Sequence, residues 1–548
     1  MTISAGRAPS PSTDTAAPTG ASTLPEQEHH ISAPSSRGPR EYTWLDHLER
    51  HAAEIPDQDA VIHGELRLTW AGLHDQVREF AAHLHARGVR PGNRVAILMS
   101  NRPASIVAML GAQELGAIAV PLNYRLTVRE LTPIVERTSP TALVYEDAYR
   151  ATASEVVEQG SVPITVHEQA DLDFAFAGEA EAPAEASVEP LIEQSPASEC
   201  AVIVFTSGST GRPKGAMLSY ANIMSQVLVA VYHFQITGGG STLVNSPLFH
   251  IAGLANVFRC LVTGRTTVLA YYATFTPEAF LENLQKYNVT ETYLISSLWS
   301  RVCKHMDAHG ITHPLENLGW GAEPAGLSTL EAMARCFPQA RIVSTFGQTE
   351  MSPVTTVLEP EYAQRKIGSV GVSAIAVRIR VVDEQMNDVP TGEVGEAVYL
   401  GPGLMMGYWD DPEATAESMQ GGWFHSGDLV RKDEDGFYYV ADRIKNIIIS
   451  GGENIYSPEV EEAILLHPNV KETAVVGVPD EKWGEVPVAA VSLIDPSVET
   501  DEAEIIEHCR SVLASYKKPK HVYIFDELPR SGTGKISKPA LRESFGQS

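Results

Sequence analysis

Cysteine is scarce in this chain, with five among 548 residues: Cys200, Cys260, Cys303, Cys336 and Cys509. They are far apart, odd in number, and show neither a CxxC pair nor zinc-finger spacing with histidine, which excludes a disulfide framework and a cysteine-rich zinc site. A reduced, cytoplasmic setting is the expectation. No apolar run approaches the length that crosses a bilayer, so no transmembrane segment is expected. Positive charge is also short, with 41 Lys and Arg against 69 Asp and Glu and a net charge of -28. That balance argues against nucleic acid or an anionic membrane as the main partner. Any phosphate the protein binds must meet locally placed cations. The first forty residues lack the basic start and apolar core of a signal peptide and are rich in Ala, Pro, Ser and Thr, so residues 1–40 read as a disordered tail.

What is present is globular: 43% hydrophobic and 20% charged residues, in a chain too long for one ordinary core. Leu73, Val77, Phe80 and Leu84 recur at helical spacing before Gly88. Residues 94–99, 117–121 and 142–145 read as buried strands and 101–114 as a helix, an alternation that predicts a parallel sheet covered on both faces. Residues 168–199 carry nine carboxylates and no lysine or arginine, and read as a solvated connector. Helices are expected over 219–234, 277–285 and 296–306. From Val377 short strands and turns suggest an antiparallel subdomain. Residues 457–466, 470–478, 486–494 and 501–514 alternate helix, strand, strand, helix, a small α+β module. The fold class expected is α/β.

Chemistry concentrates in a few stretches. Thr206, Ser207, Gly208, Ser209, Thr210, Gly211, Arg212, Pro213, Lys214 and Gly215 follow the apolar run 201–205. Glycines that let the backbone turn close to an anion, hydroxyl donors and a lysine together suit a phosphate cradle. Pro213 between Arg212 and Lys214 breaks the Gly-Lys-Ser/Thr ending of a Walker loop. Taken alone, such a stretch has a flexible surface linker as its lesser alternative. In 344–351, Phe346, Gln348, Thr349 and Glu350 place an aromatic face, a hydroxyl and a carboxylate together, which suits base stacking, a phosphate contact and a magnesium ligand, or else an ordinary strand end. His250 lies in an apolar, glycine-containing segment where an interior histidine is the plainer reading. Residues 423–428 set Asp428 at a glycine turn, and 529–535 form a second glycine-rich loop delivering Lys535.

In this order and separation the motifs resemble those of the adenylate-forming (ANL) superfamily, and within it the acyl-CoA synthetases, over residues 42–545. The resemblance implies a large N-terminal domain over 41–442 and a small mobile C-terminal domain over 443–548. It implies two half-reactions: a carboxylate attacks the α-phosphate of MgATP, giving acyl-adenylate and pyrophosphate, and CoA thiol then displaces AMP. By resemblance Thr206, Ser207, Ser209, Thr210 and Lys214 hold the β- and γ-phosphates, with Gly208 and Gly211 shaping the loop. Thr349 meets the α-phosphate, Glu350 is the magnesium ligand, and Gln348 belongs to the nucleotide site. Phe346 and Ala322, Glu323 and Pro324 flank adenine. Asp428 accepts from the ribose hydroxyls, Arg443 supports ribose or phosphate, and Lys535 bridges the attacking carboxylate and the α-phosphate. Lys445 matches the hinge, Gly451 and Gly452 line the pantetheine channel, and His250 borders the acyl pocket.

Residues 477–485 and 516–520 look like the CoA-using branch. A carrier protein or a nitrogen nucleophile is the alternative acceptor, and the oligomeric state, a homodimer included, is open. Three positions depart from the usual pattern: Phe346 for tyrosine, Ser426 for threonine, and Trp320 for a small residue. Trp320 either shortens the pocket toward aromatic or short-to-medium acids or packs into the core.

Overall fold

The computed structural model describes residues 42–176, 199–206, 213–270, 275–450, 453–480, 482–530 and 535–545. Two mostly parallel sheets form the large domain. One has nine strands in the order Val372–Ser373, Thr356–Leu358, Arg341–Phe346, Asn317–Gly321, Glu291–Ile295, Ser241–Val244, Thr266–Leu269, Asp59–His63 and Leu66–Thr69. The other has eight: Gly407–Tyr408, Lys214–Ser219, Cys200–Thr206, Ile118–Pro121, Arg94–Leu98, Ala142–Glu146, Ile164–Ala170 and Asp173–Phe176.

Most of their interior strands are parallel, and those at the centre of the eight-stranded sheet, Arg94–Leu98 and Ile118–Pro121, read as near-continuous apolar runs because helices cover both faces. Helices Trp44–Glu54, Trp70–Ala86, Pro103–Glu114, Tyr220–Phe234 and Ile251–Thr263 share one apolar core with residues of both sheets and fill the layer between them. Pro277–Lys286, Ser296–His309 and Leu327–Cys336 cover the outer face of the nine-stranded sheet, and Val128–Thr138 and Arg150–Gly160 that of the eight-stranded sheet. Pro103–Glu114 lies deepest. A Cβ at Gly111 would sit 2.8 Å from a Phe80 ring carbon, so glycine sets how closely this helix meets its neighbour.

Arg378–Val382, Val394–Leu400, Phe424–Lys432 and Tyr438–Arg443 make the expected antiparallel sheet. The small C-terminal domain has a five-stranded sheet built on Val470–Asp480 and Gly484–Leu493. Ser457–Leu465 and Glu502–Val512 pack on one face through Val460, Ile464, Ile505 and Cys509, and Lys538–Phe545 packs on the other through Leu541 and Phe545. None of the five cysteines is in a disulfide. Among the described residues no helix is long and apolar enough to cross a membrane.

The acidic stretch is not wholly a solvated connector. Glu168 lies in the strand Ile164–Ala170, only 2% exposed, with Arg102 Nε 3.3 Å from its Oε2 and Leu172 N–H donating to its Oε1 at 3.2 Å. Phe174 and Phe176, in the next strand, pack on Phe80 at 4.6 and 5.5 Å. A count of carboxylates misses an arginine supplied by a distant part of the chain; residues 177–198 lie outside those described. Burial raises the Glu168 pKa to about 7, against the pull of Arg102. A carboxyl raised in the folded state contributes stability at low pH that is lost as pH rises through that value. Glu168→Gln should therefore raise the melting temperature above neutrality, a gain that disappears as pH falls below the 4.5 of an ordinary glutamate.

Trp320 belongs to the core. Strand alternation sends Leu318 and Trp320 to the outer helices, where Trp320, 4% exposed, joins Trp299, Leu330 and Met333. Gly319 and Gly321 face the middle layer instead. Trp320→Ala should cost roughly 3–5 kcal/mol of stability, as large buried aromatics do. A panel of acids of different length should show the same preference in this variant as in the wild type.

Candidate active site

Thr206, residues 322–324 and Thr349–Glu350 stand at the carboxyl ends of strands of the two parallel sheets, where open α/β sheets place their ligands. Thr206 ends one strand and Lys214 begins its antiparallel partner, the two residues paired in register. Residues 207–212, and with them Ser207, Gly208, Ser209, Thr210 and Gly211, lie outside the described residues. The Lys214 ammonium lies 5.0 Å from the centre of the Tyr408 ring. On the other side, the Tyr408 hydroxyl donates to Glu350 Oε1 at 2.9 Å. Tyr408 thereby brings the cation of one motif beside the carboxylate of another. Burial first, then the charge of Glu350, pushes the Tyr408 pKa up, which keeps its hydroxyl a donor.

Thr349 and Glu350 stand in a single 3₁₀ turn, Thr349–Met351, directly after the strand Arg341–Phe346 and Gly347. A Cβ at Gly347 would collide with the carbonyl of Pro353, so the turn closes only around glycine. Glu350 is buried and its own carbonyl accepts from Met405 N–H at 2.8 Å. The Gln348 Nε2 beside it is buried with no hydrogen-bond partner among the described residues.

One strand over, Ala322 takes a φ of +66° at the end of Asn317–Gly321 and turns Glu323 and Pro324 outward. Glu323 Oε2 accepts from Ser297 N–H at 3.2 Å, and Pro324 O accepts from Ser296 Oγ at 2.7 Å, which ties this segment to a helix start.

Asp428 is not at a turn between elements. It sits inside the strand Phe424–Lys432, one residue past Gly427 at φ +69°, and is 1% exposed. Arg443 is its register partner on the neighbouring strand and places Nε 2.7 Å from Asp428 Oδ1. Ser426, the residue in place of threonine, supplies the same hydroxyl and accepts from Asp428 N–H at 3.0 Å.

Lys535 comes from the small domain. Burial and the charge of Arg443 lower its pKa, while Glu323 and Asp428 oppose that shift. Its charge also reaches His250. Burial, then Arg125 and Lys535, bring the His250 pKa down to about 4, so the ring is neutral near pH 7. His250 precedes the helix Ile251–Thr263, and its Nε2 is buried without a partner among the described residues. Lys535 is thus within electrostatic reach of Glu323, Asp428, Arg443 and His250. Lys445 lies in the turn Ile444–Asn446, its side chain outside the description, as are Gly451 and Gly452.

Sequence reasoning missed Tyr408 and Tyr293. Tyr408 stands beside Gly407 with no chemical motif around it. Tyr293 lies across the two glycines of the neighbouring strand: a Cβ at Gly319 would be 2.7 Å from its ring, and one at Gly321 would collide with its hydroxyl. The spacing Gly319-x-Gly321 was the available signal. Burial pushes the Tyr293 pKa up to about 12.

The sequence model of AMP-binding enzymes matches residues 48–409, and that of the AMP-binding enzyme C-terminal domain matches 459–535. The chain belongs to the AMP-binding enzyme family. Within it the chain falls in the acyl-CoA synthetase branch, as relatives that cover 91% of it show. A feruloyl-CoA synthase from Amycolatopsis sp. is 37% identical over 91% of this chain and 98% of its own. The o-succinylbenzoate coenzyme A synthetase of Bacillus subtilis, solved with ATP and magnesium, superposes with a TM-score of 0.80 at 29% identity, covering 92% of this chain and 99% of that one. The amide bond synthetase of Marinactinospora thermotolerans superposes with a TM-score of 0.81 at 29% identity and the same coverage.

Proposed function

We propose that this protein is an ATP- and magnesium-dependent carboxylate–CoA ligase, cytoplasmic, which activates an aromatic or short-to-medium acid as acyl-adenylate and transfers it to CoA. The observation that carries this reading is that Lys535 comes within electrostatic reach of Glu323, Asp428, Arg443 and His250, together with the Lys214–Tyr408–Glu350 group.

The donor set fits a magnesium nucleotide. Among the described residues there is no cluster of three or more metal-ligating side chains, and magnesium needs none, being held by one or two carboxylates together with substrate phosphates. When bound, the ion would neutralise charge on the phosphates. In this reading Thr206, Lys214 and the 207–211 loop hold the β- and γ-phosphates, Thr349 meets the α-phosphate, and Glu350 is the metal carboxylate. Phe346 and residues 322–324 flank adenine, with Gln348 alongside. Asp428 accepts from the ribose hydroxyls while Arg443 holds its other oxygen.

A free carboxylate acylates poorly because its leaving group would be oxide; adenylation supplies a stabilised phosphate ester instead. The attack joins two anions, so positioning and charge stabilisation carry most of the catalysis. Lys535 supplies a positive charge where they meet. Neutral His250 borders the acyl pocket, and Tyr293 forms a wall across Gly319 and Gly321 that suits a flat, short acid. Lys445 is the pivot of the small domain, after a boundary at residue 442, and Gly451 and Gly452 pass the pantetheine arm.

CoA as acceptor is supported by an exposed aromatic and lysine surface on the small domain: Trp483, with Lys482 4.6 Å from its ring, and a loop that Asp480 ties to Lys520. The likeness to an amide bond synthetase keeps a nitrogen nucleophile as the second reading. Pyrophosphate release with a panel of aromatic and aliphatic acids, with and without CoA and with mass detection of the product, decides between them. CoA-dependent thioester on aromatic acids is the expected result. Adenylate that accumulates, ignores CoA and is consumed by amines would replace CoA with nitrogen as the acceptor.

A further inference from the structure

A polar chain runs from the Asp428–Arg443 pair to the helix that follows Lys535. The strand Tyr438–Arg443 belongs to the four-stranded sheet of the large domain, where Leu429 pairs with Asp442 and Asp428 with Arg443. The Arg443 side chain turns to Asp428, whereas Asp442, 3% exposed, turns to the small domain. Its Oδ2 accepts from both Ser457 N–H at 2.7 Å and Ser457 Oγ at 2.9 Å, at the first residue of the nine-residue helix Ser457–Leu465. Its Oδ1 accepts from Arg443 N–H at 2.6 Å. Ser457 Oγ in turn accepts from Lys538 Nζ at 2.8 Å. Lys538 also pairs with Glu461 at 2.8 Å, whose Oε1 takes Val475 N–H at 2.7 Å. Lys538 opens the helix Lys538–Phe545, three residues beyond Lys535.

We propose that Asp442 is a positioning residue for adenylation: through Ser457 and Lys538 it fixes the small domain against the large one so that Lys535 is held toward Glu323, Asp428 and His250. A buried carboxylate accepting at a helix start combines charge-assisted hydrogen bonds with the favourable end of the helix dipole, and it is directional. All three bonds at Asp442 use it as an acceptor, and two of the donors are backbone N–H groups that cannot turn away. Asparagine has the same shape but one donor end. Whichever way its amide faces, that end opposes Ser457 or Arg443.

The proposal rests on the reading of Lys535 given above, and the test separates the two. Three rates are measured for Asp442→Asn: pyrophosphate release from acid and MgATP, thioester formation from synthetic acyl-adenylate and CoA, and pyrophosphate release in the Lys535→Ala background. Misplacing a catalytic group by about 1 Å costs about 100-fold, so adenylation kcat should fall at least about 10-fold, with the KM for ATP moving less. Thioester formation should stay within about 2-fold of wild type, since Lys535 takes no part in it, and the double variant should adenylate no more slowly than Lys535→Ala.

Lys538→Met, at the other end of the chain, should reproduce the split and guards against a folding defect in the first variant. Equal loss in both half-reactions in both variants, or a further fall in the Lys535→Ala background, overturns the proposal. If Lys535→Ala itself adenylates at the wild-type rate, the reading of Lys535 fails and takes the proposal with it. If Lys535→Ala is inactive and Asp442→Asn behaves as wild type, only the role of Asp442 fails.

Discussion

Lys535→Ala is expected to lower acyl-adenylate formation by about 100- to 1,000-fold, the cost of removing one donor aimed at developing charge. The reason is geometric and electrostatic. Lys535 comes from the small domain, but its charge is felt by His250 and it feels Glu323, Asp428 and Arg443, residues carried by four separate elements of the chain. A carboxylate and a phosphate that meet there both carry negative charge, and the neutral His250 cannot compensate for them. Pyrophosphate exchange measures the loss directly.

The same residue predicts a pH signature. Burial and Arg443 favour its neutral form, so the ammonium disappears as pH rises through a value below the 10.5 of an ordinary lysine. The kcat/KM for adenylation, which reports the free enzyme, should bend downward on the alkaline side before that pH. The bend should be absent in Lys535→Ala. A profile that is unchanged by the substitution would remove Lys535 from the adenylation step.

Local motifs were readable in the sequence because each occupies a few consecutive residues at a strand end. Thr349 and Glu350 need only Gly347 and one turn; Asp428 needs only the strand it stands on. The α/β class was readable for a similar reason, since strands buried on both faces carry unbroken apolar runs. What the sequence does not carry is the identity of partners brought from far along the chain. Tyr408 reaches Glu350 from 58 positions away and Arg102 reaches Glu168 from 66 positions away, and neither pair leaves a local pattern. Trp320 shows the intermediate case. Its alternation with Gly319 and Gly321 is visible in the text, but which of the two faces meets the middle layer depends on how the sheet is covered.

Glu350→Gln should lower adenylation by at least about 100-fold, because in the proposed reading Glu350 holds the metal ion, and such an ion supplies several kcal/mol of charge stabilisation. The substitution isolates charge from shape. An amide oxygen still accepts from the Tyr408 hydroxyl, and the main-chain bond from Met405 N–H to the Glu350 carbonyl does not involve the side chain. Thermal unfolding should therefore be unchanged, while a magnesium titration of pyrophosphate release shifts to higher concentration. Tyr408→Phe gives the graded comparison: it leaves the carboxylate charged but removes the bond that orients it, and loss of such a supporting contact costs about 10- to 100-fold in metal affinity or activity. Lys535→Ala should leave the magnesium midpoint where it is, since in the proposed reading that side chain serves the carboxylate end of the site. If Glu350→Gln kept the wild-type magnesium dependence, the metal would have to be held by phosphates alone, and Tyr408 would serve Lys214 rather than Glu350.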